Sequence, residues 1–303
     1  MQKFHSNGKL LLTGEYVVLD GATALAIPTR YGQSLAVSAS KKRGIHWKSF
    51  DEIGTVWFED CFNFKNFESE NQQSGLSQTL SKILMEAKRL NPDFLANNGG
   101  ILVETKLDFP RDWGLGTSST LINNIAQWAK VDGFALLANS FGGSGYDIAA
   151  AQSDAPILYN LKNEVPEFIK TTLPWDFTES LFFVHLNQKQ DSKKGIARYR
   201  KTSVPKKTLD EISEISSALL KCRTLSSFEN LLNKHEAIIS ETIKLPTIKE
   251  QLFSDYPGTI KSLGAWGGDF VLVTGNVSDM DYFRKKGFGT VIPFDEMILK
   301  PTP

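Results

Sequence analysis

Over the first 60 residues apolar and polar positions tend to alternate, and a spacing of three to four takes over only later. Residues 9–13, 22–27, 33–40, 45–49 and 54–59 are short runs rich in β-branched and aromatic side chains, separated by glycine or charged turns, and they predict strands. A polar link at 68–74 leads into a predicted helix at 76–90, where Leu76, Leu80, Ile83, Leu84 and Ala87 form one stripe and Asn91-Pro92 ends the periodicity. A strand at 100–105 then runs through a loop into the apolar helical segment that starts at Leu121.

Strands follow near 156–159 and 167–171, and a buried one at 181–186. Two helices are predicted at 206–221 and 226–242, the first with Leu209, Ile212, Ile215, Leu219 and Leu220 on one face. The end alternates again, with strands at 259–263 and 270–274, a helix at 279–286 and a strand at 290–294. Strands and helices mix in both halves, which predicts an α+β chain of two domains. The Pro174-Trp175-Asp176 stretch within 172–179 marks the expected boundary, giving domains at 1–175 and 176–303.

At 303 residues, 41% hydrophobic and 22% charged, the composition is that of a globular protein with a sizeable core. Lys plus Arg equals Asp plus Glu at 34 each, so no global field favours nucleic acid or an anionic membrane surface. The two cysteines, Cys61 and Cys222, make no disulfide framework and fit a reducing cytoplasmic setting. The Leu10-Leu11-Leu12 run is too short for a signal peptide, and no apolar run approaches a membrane span.

Five segments carry candidate chemistry. Gly114-Leu115-Gly116-Thr117-Ser118-Ser119 opens the helix that continues through Leu121. The first turn of a helix leaves backbone N–H groups free, its dipole is positive there, and glycines admit an anion to the backbone. A plain capped helix start accounts for the same residues, and the Lys of a Walker A loop is absent. Lys9, behind Asn7-Gly8, reads as a solvated lysine beside a hairpin or as a cation aimed at a phosphate, and Glu15 as a helix-start acid or a cleft carboxylate. Asp147, behind Gly142-Gly143-Ser144-Gly145-Tyr146, complements a helix dipole or acts as a base. Gly264-Ala265-Trp266-Gly267-Gly268-Asp269 reads as a tight turn or a loop closing over phosphate. Lys189, Lys193, Lys194, Arg198, Arg200 and Lys201 form a basic face, either solvated or facing an anionic substrate.

These segments occur together and in order, and in this the chain resembles the GHMP kinase superfamily over almost its whole length. Asn7 to Tyr16, Pro110 to Ser119 and Gly264 to Asp269 are similar to its three motifs, and Gly14-Glu15-Tyr16 with Ser144-Gly145-Tyr146-Asp147 is most similar to the mevalonate and phosphomevalonate kinase branch. The resemblance implies an N-terminal domain like ribosomal protein S5 domain 2 and a ferredoxin-like C-terminal domain. It implies ATP phosphates on Gly114, Leu115, Gly116, Thr117, Ser118 and Ser119, with Ser118 or Ser119 as a Mg²⁺ ligand. Asp147 would orient or deprotonate an acceptor hydroxyl, with Lys9 beside it. Glu15, Tyr16, Ser144, Gly145, Gly264, Ala265, Gly267 and Gly268 would line the substrate side or close over it.

The implied activity is ATP-dependent phosphorylation of a small anionic metabolite, mevalonate or phosphomevalonate before others, by a monomer or homodimer. A diphosphomevalonate decarboxylase and a non-catalytic binding protein are the alternatives. Three departures stand out: the stretch from Ser119 to Asp147 has room for one good helix and a fragment, Leu136 and Asn139 occupy the neighbourhood of an expected acidic Mg²⁺ ligand, and Trp266 replaces a small residue.

Overall fold

A computed structural model describes residues 1–69, 75–96, 99–189 and 192–300, without the side chains of Ser192 and Lys193. Residues 70–74 of the expected polar link, and the Lys193 side chain of the basic face, lie outside the described residues. The chain forms two compact units, one of Met1–Gly8, Tyr31–Arg111 and Gly116–Gln152, the other of Lys9–Arg30, Asp112–Leu115 and Ser153–Pro303. The expectation from sequence is a single crossing near residue 175; these units exchange segments five times along the chain.

The elements in chain order are β1 (Gln2–Leu11), β2 (Ala24–Ala39), β3 (Gly44–Phe50), β4 (Val56–Phe62), α1 (Gly75–Leu90), β5 (Gly100–Leu107), α2 (Thr117–Ala129), α3 (Gly133–Ser140) and α4 (Tyr146–Gln152). They continue with β6 (Ile157–Lys162), β7 (Val165–Lys170), β8 (Leu181–His185), α5 (Ser192–Tyr199), α6 (Lys206–Leu219), α7 (Leu225–Ile243) and α8 (Ile248–Leu252). The last are β9 (Ile260–Ser262), β10 (Phe270–Thr274), α9 (Asp281–Lys285), β11 (Val291–Pro293) and α10 (Phe294–Met297).

In the first unit β3 pairs antiparallel with β4 and parallel with β5, and β5 pairs antiparallel with residues 33–39 of β2. Along β5, Ile101, Val103, Thr105 and Leu107 are buried while Leu102, Glu104 and Lys106 are less so, the period of two that a one-sided sheet requires. Helix α1 covers this core with Leu80, Ile83, Leu84 and Ala87; Leu76, expected on the same stripe, is 49% exposed at the helix start. The fragment expected between Ser119 and Asp147 is a full eight-residue helix, α3, whose N-cap Asp132 accepts from the Ala135 N–H at 2.7 Å.

The second unit holds the antiparallel order β11-β8-β10-β9, and residues 24–26 of β2 pair there with β6. Its core gathers Phe182, Val184, Phe253, Val271, Val273 and Phe283. The 172–179 stretch packs into this unit: Trp175 is buried against Phe228 and Phe294, and its indole N–H donates to Leu219 O at 2.8 Å. Among the described residues no helix is long and apolar enough to cross a membrane.

Candidate active site

Helix α2 begins with Gly116 as N-cap at φ 93°, and no side chain caps it. Gly114, two residues earlier, also has positive φ, 66°. Both backbones lie in the left-handed region where a Cβ is costly, which is a physical reason for glycine at these positions. Gly116 brings no side chain to the first-turn N–H groups, and the same absence keeps the approach of an anion open.

The start of this helix is held by a buried polar network. Thr120 donates to Gln33 Oε1 at 2.8 Å, Asn124 Nδ2 donates to Gln33 O at 2.8 Å, and Ser6 Oγ donates to Asn124 Oδ1 at 2.9 Å. Asn123 Nδ2 donates to Ser6 at 2.8 Å and receives the Gln152 amide at its oxygen. Sequence reasoning missed this network; the adjacent asparagines inside an otherwise apolar helix were its signal.

The two serines expected as cation ligands differ. Ser119 is 2% exposed and donates its hydroxyl to Gly116 O at 2.9 Å, whereas Ser118 is exposed. A hydroxyl open to solvent fits a cation that arrives with a ligand. Among the described residues no group of three or more His, Cys, Asp or Glu side chains is placed to hold a metal ion.

Asp147 lies in the first turn of α4, half-buried, its Oδ1 accepting from the Ile148 N–H at 3.1 Å. Gly142, Gly143 and Gly145 before it all have positive φ, and Ser144 among them is buried. Leu136 is fully buried and Asn139 exposed, so neither replaces the acid expected in that neighbourhood.

In the second unit Lys9 lies within β1. Its ammonium donates to Gly114 O at 3.0 Å, and its N–H donates to Leu115 O at 2.9 Å. The cation is thus fastened to the glycine loop itself. Tyr16, at φ 63°, donates its hydroxyl to Ala265 O at 2.7 Å and stacks on Tyr199 at 5.7 Å. A Cβ on Gly195 would come within 2.4 Å of that hydroxyl, so α5 approaches Tyr16 through a glycine. The Gly264 and Gly267 backbones take φ of 63° and 101°, which the turn needs. Trp266 is 3% exposed, its indole N–H directed at Pro246 O, so this departure fills the interior beneath the turn.

Glu15 is fully buried. Its carboxylate takes the Lys261 ammonium and lies 3.3 Å from His235 Nε2, while Lys261 also meets Glu236 at 3.1 Å. Burial pushes the Glu15 carboxyl up to about 7 against the pull of Lys261, and burial holds His235 well below the usual imidazole value. The Gly14 N–H donates to His235 Nε2 at 3.0 Å, which makes that nitrogen an acceptor and the ring neutral. On the basic face Lys189, Lys194, Arg198 and Lys201 are exposed, and Arg200 pairs with Asp20 at 3.0 Å.

The chain has the fold of the GHMP kinases. The mevalonate kinase of Methanococcus jannaschii is similar to it with a TM-score of 0.71 at 15% identity, over 96% of each chain. The phosphomevalonate kinase of Streptococcus pneumoniae, solved with phosphomevalonate and AMPPNP, matches with a TM-score of 0.70 at 13% identity, over 94% of this chain and 96% of that one. The galactokinase of Lactococcus lactis, solved with galactose, matches with a TM-score of 0.67 at 12% identity, over 99% and 94%. No protein-family model and no curated protein matches the sequence. At such identities the likeness is one of fold, and the names of these three proteins span three acceptors.

Proposed function

We propose that this protein is an ATP-dependent kinase that phosphorylates a small anionic metabolite, with mevalonate and phosphomevalonate as the first candidates. The observation that carries the reading is the start of α2, an uncapped helix N-terminus reached through two left-handed glycines, with the Lys9 ammonium bonded to the loop. Gly114, Leu115, Gly116, Thr117, Ser118 and Ser119 receive the triphosphate on backbone N–H groups. Lys9 balances negative charge as the phosphoryl group moves. Asp147 orients the acceptor hydroxyl and takes its proton as the oxygen forms its bond to the γ-phosphorus and the bond to the departing ADP oxygen breaks. Ser118 is the serine open to a magnesium ion, which neutralises phosphate charge when bound. Glu15 supports the Gly14–Tyr16 turn from the interior, and Tyr16 fastens the turn at Ala265. In this reading Ser144, Gly145, Gly264, Gly267 and Gly268 shape the substrate side.

A coupled ADP-release assay with Mg-ATP against mevalonate, phosphomevalonate, diphosphomevalonate, homoserine and galactose tests the proposal. Turnover with one of the first two supports it in full. ADP release accompanied by CO₂ from diphosphomevalonate replaces it with a decarboxylase, and ATP binding without turnover on any acceptor replaces it with a binding protein.

A further inference from the structure

Asp269 is the last residue of the third glycine segment, and its main chain is fixed from both sides. Its N–H donates to Gln188 O at 2.7 Å, and its carbonyl accepts from the Leu186 N–H at 2.8 Å. The direction of its side chain is therefore set by these bonds just beyond β8 and by a left-handed backbone at φ 55°. The side chain runs onto the phosphate loop. A Cβ built on Gly114 would stand 2.2 Å from the Asp269 carboxyl carbon and 2.3 and 2.6 Å from its two oxygens. The carboxylate fills the place that any side chain at position 114 would need, a second reason for glycine there besides the backbone angle.

An acid in contact with a loop that receives a polyphosphate repels the free nucleotide. The same acid attracts a nucleotide carrying a divalent cation, because carboxylate and phosphate oxygens are the hard ligands that magnesium shares. Resting on the kinase reading above, we infer that Asp269 is the protein's acidic ligand for the nucleotide-borne cation, bound directly or through one of the cation's waters. This assigns to the third glycine segment the acid for which the helix before Asp147 offers only buried Leu136 and neutral Asn139.

The test is calorimetric binding of AMPPNP to the wild type, Asp269→Asn and Asp269→Glu, each in magnesium and in EDTA, with Mn²⁺ binding to the nucleotide complex followed by electron paramagnetic resonance. Asp269→Asn is expected to weaken magnesium-AMPPNP at least tenfold and Mn²⁺ similarly, while metal-free AMPPNP binds as well as or better than to the wild type. Asp269→Glu keeps the charge and is expected to retain most of the metal dependence. An equal loss with and without metal, or no loss in either, overturns the inference while leaving the kinase reading intact. A wild type that binds AMPPNP in neither medium overturns both.

Discussion

Lys261 sets its ammonium against the Glu15 carboxylate in an interior where neither side chain is exposed. Glu236 shares the same ammonium at 3.1 Å and also accepts from the Ser262 hydroxyl at 2.9 Å. Two buried acids around one cation leave excess negative charge when both ionise, and burial together with this repulsion is why Glu15 keeps its proton up to about 7. The neutral His235 beside it supplies no charge to offset it. Such an arrangement is tolerable only while the cation stays.

Replacing Lys261 with Met is therefore expected to destabilise the protein by about 3–5 kcal/mol, because both acids lose their counter-charge at once. Urea unfolding measures it. The double variant Lys261→Met with Glu15→Gln is expected to recover part of the loss, since it removes a stranded charge together with its partner. A single-variant loss below about 1 kcal/mol would contradict this account of a buried salt bridge, because that is the range of an exposed pair.

The same cluster fixes a pH dependence with two opposing slopes. Glu15 titrates near 7 in the folded chain against 4.5 in its ordinary state, so the folded protein holds an extra proton between these values. Through this group stability falls as pH rises from 4.5 to 7. His235 is depressed below 6.5, so only the unfolded chain takes its proton there, and through this group stability rises with pH up to about 6.5. His235→Gln keeps an acceptor for the Gly14 N–H and removes the second slope. Relative to the wild type the variant should gain up to about 1.4 kcal/mol per pH unit as pH falls below 6.5. Unfolding curves at several values from pH 5 to 8 read this directly, and a difference that stays constant across them would sink the assignment.

Much of the fold was legible because it rests on local periodicity. The alternation of Ile101, Val103 and Thr105 and the stripe of Leu80, Ile83, Leu84 and Ala87 both sit on core faces as expected. The sequence predicts two strands, 22–27 and 33–40, where the single strand β2 runs from Ala24 to Ala39. It runs through because Pro28 needs no N–H there and its carbonyl accepts from the Leu299 N–H at 3.0 Å, a partner at the far end of the chain. No apolar stripe bounds helix α5: Ser192 to Tyr199 is mostly polar, and among its described side chains only Tyr199 is buried. The glycine segments announced themselves, since positive φ is a property of single residues. The environment of Glu15 did not, because its partners lie 246 and 220 positions away and no spacing rule joins them.

Gly114→Ala probes the loop by geometry. The new methyl would meet the Asp269 carboxylate at 2.2 Å, and the backbone at φ 66° disfavours any Cβ. Steric relief requires the loop to move, so on the kinase reading nucleotide affinity should fall at least tenfold, with about 1–3 kcal/mol lost in stability. Calorimetry and urea unfolding on the same preparation separate the two effects. Unchanged nucleotide affinity would detach Gly114 from the phosphate site.

On the kinase reading Asp147 handles a proton and Lys9 a charge, and their variants should separate along that line. Asp147→Asn keeps size and hydrogen bonding but not basicity, so kcat should drop by about 10²–10⁴ while ATP still binds. Lys9→Ala removes a cation bonded to Gly114 O at 3.0 Å, so a fall of similar size in kcat should come with weaker ATP binding, because the loop loses its fastening as well as its charge. Steady-state kinetics alongside equilibrium ATP binding distinguish the two patterns. A normal kcat for Asp147→Asn would remove that residue from the reaction. An unaltered rate and affinity for Lys9→Ala would return it to the role of a lysine that only fastens a loop.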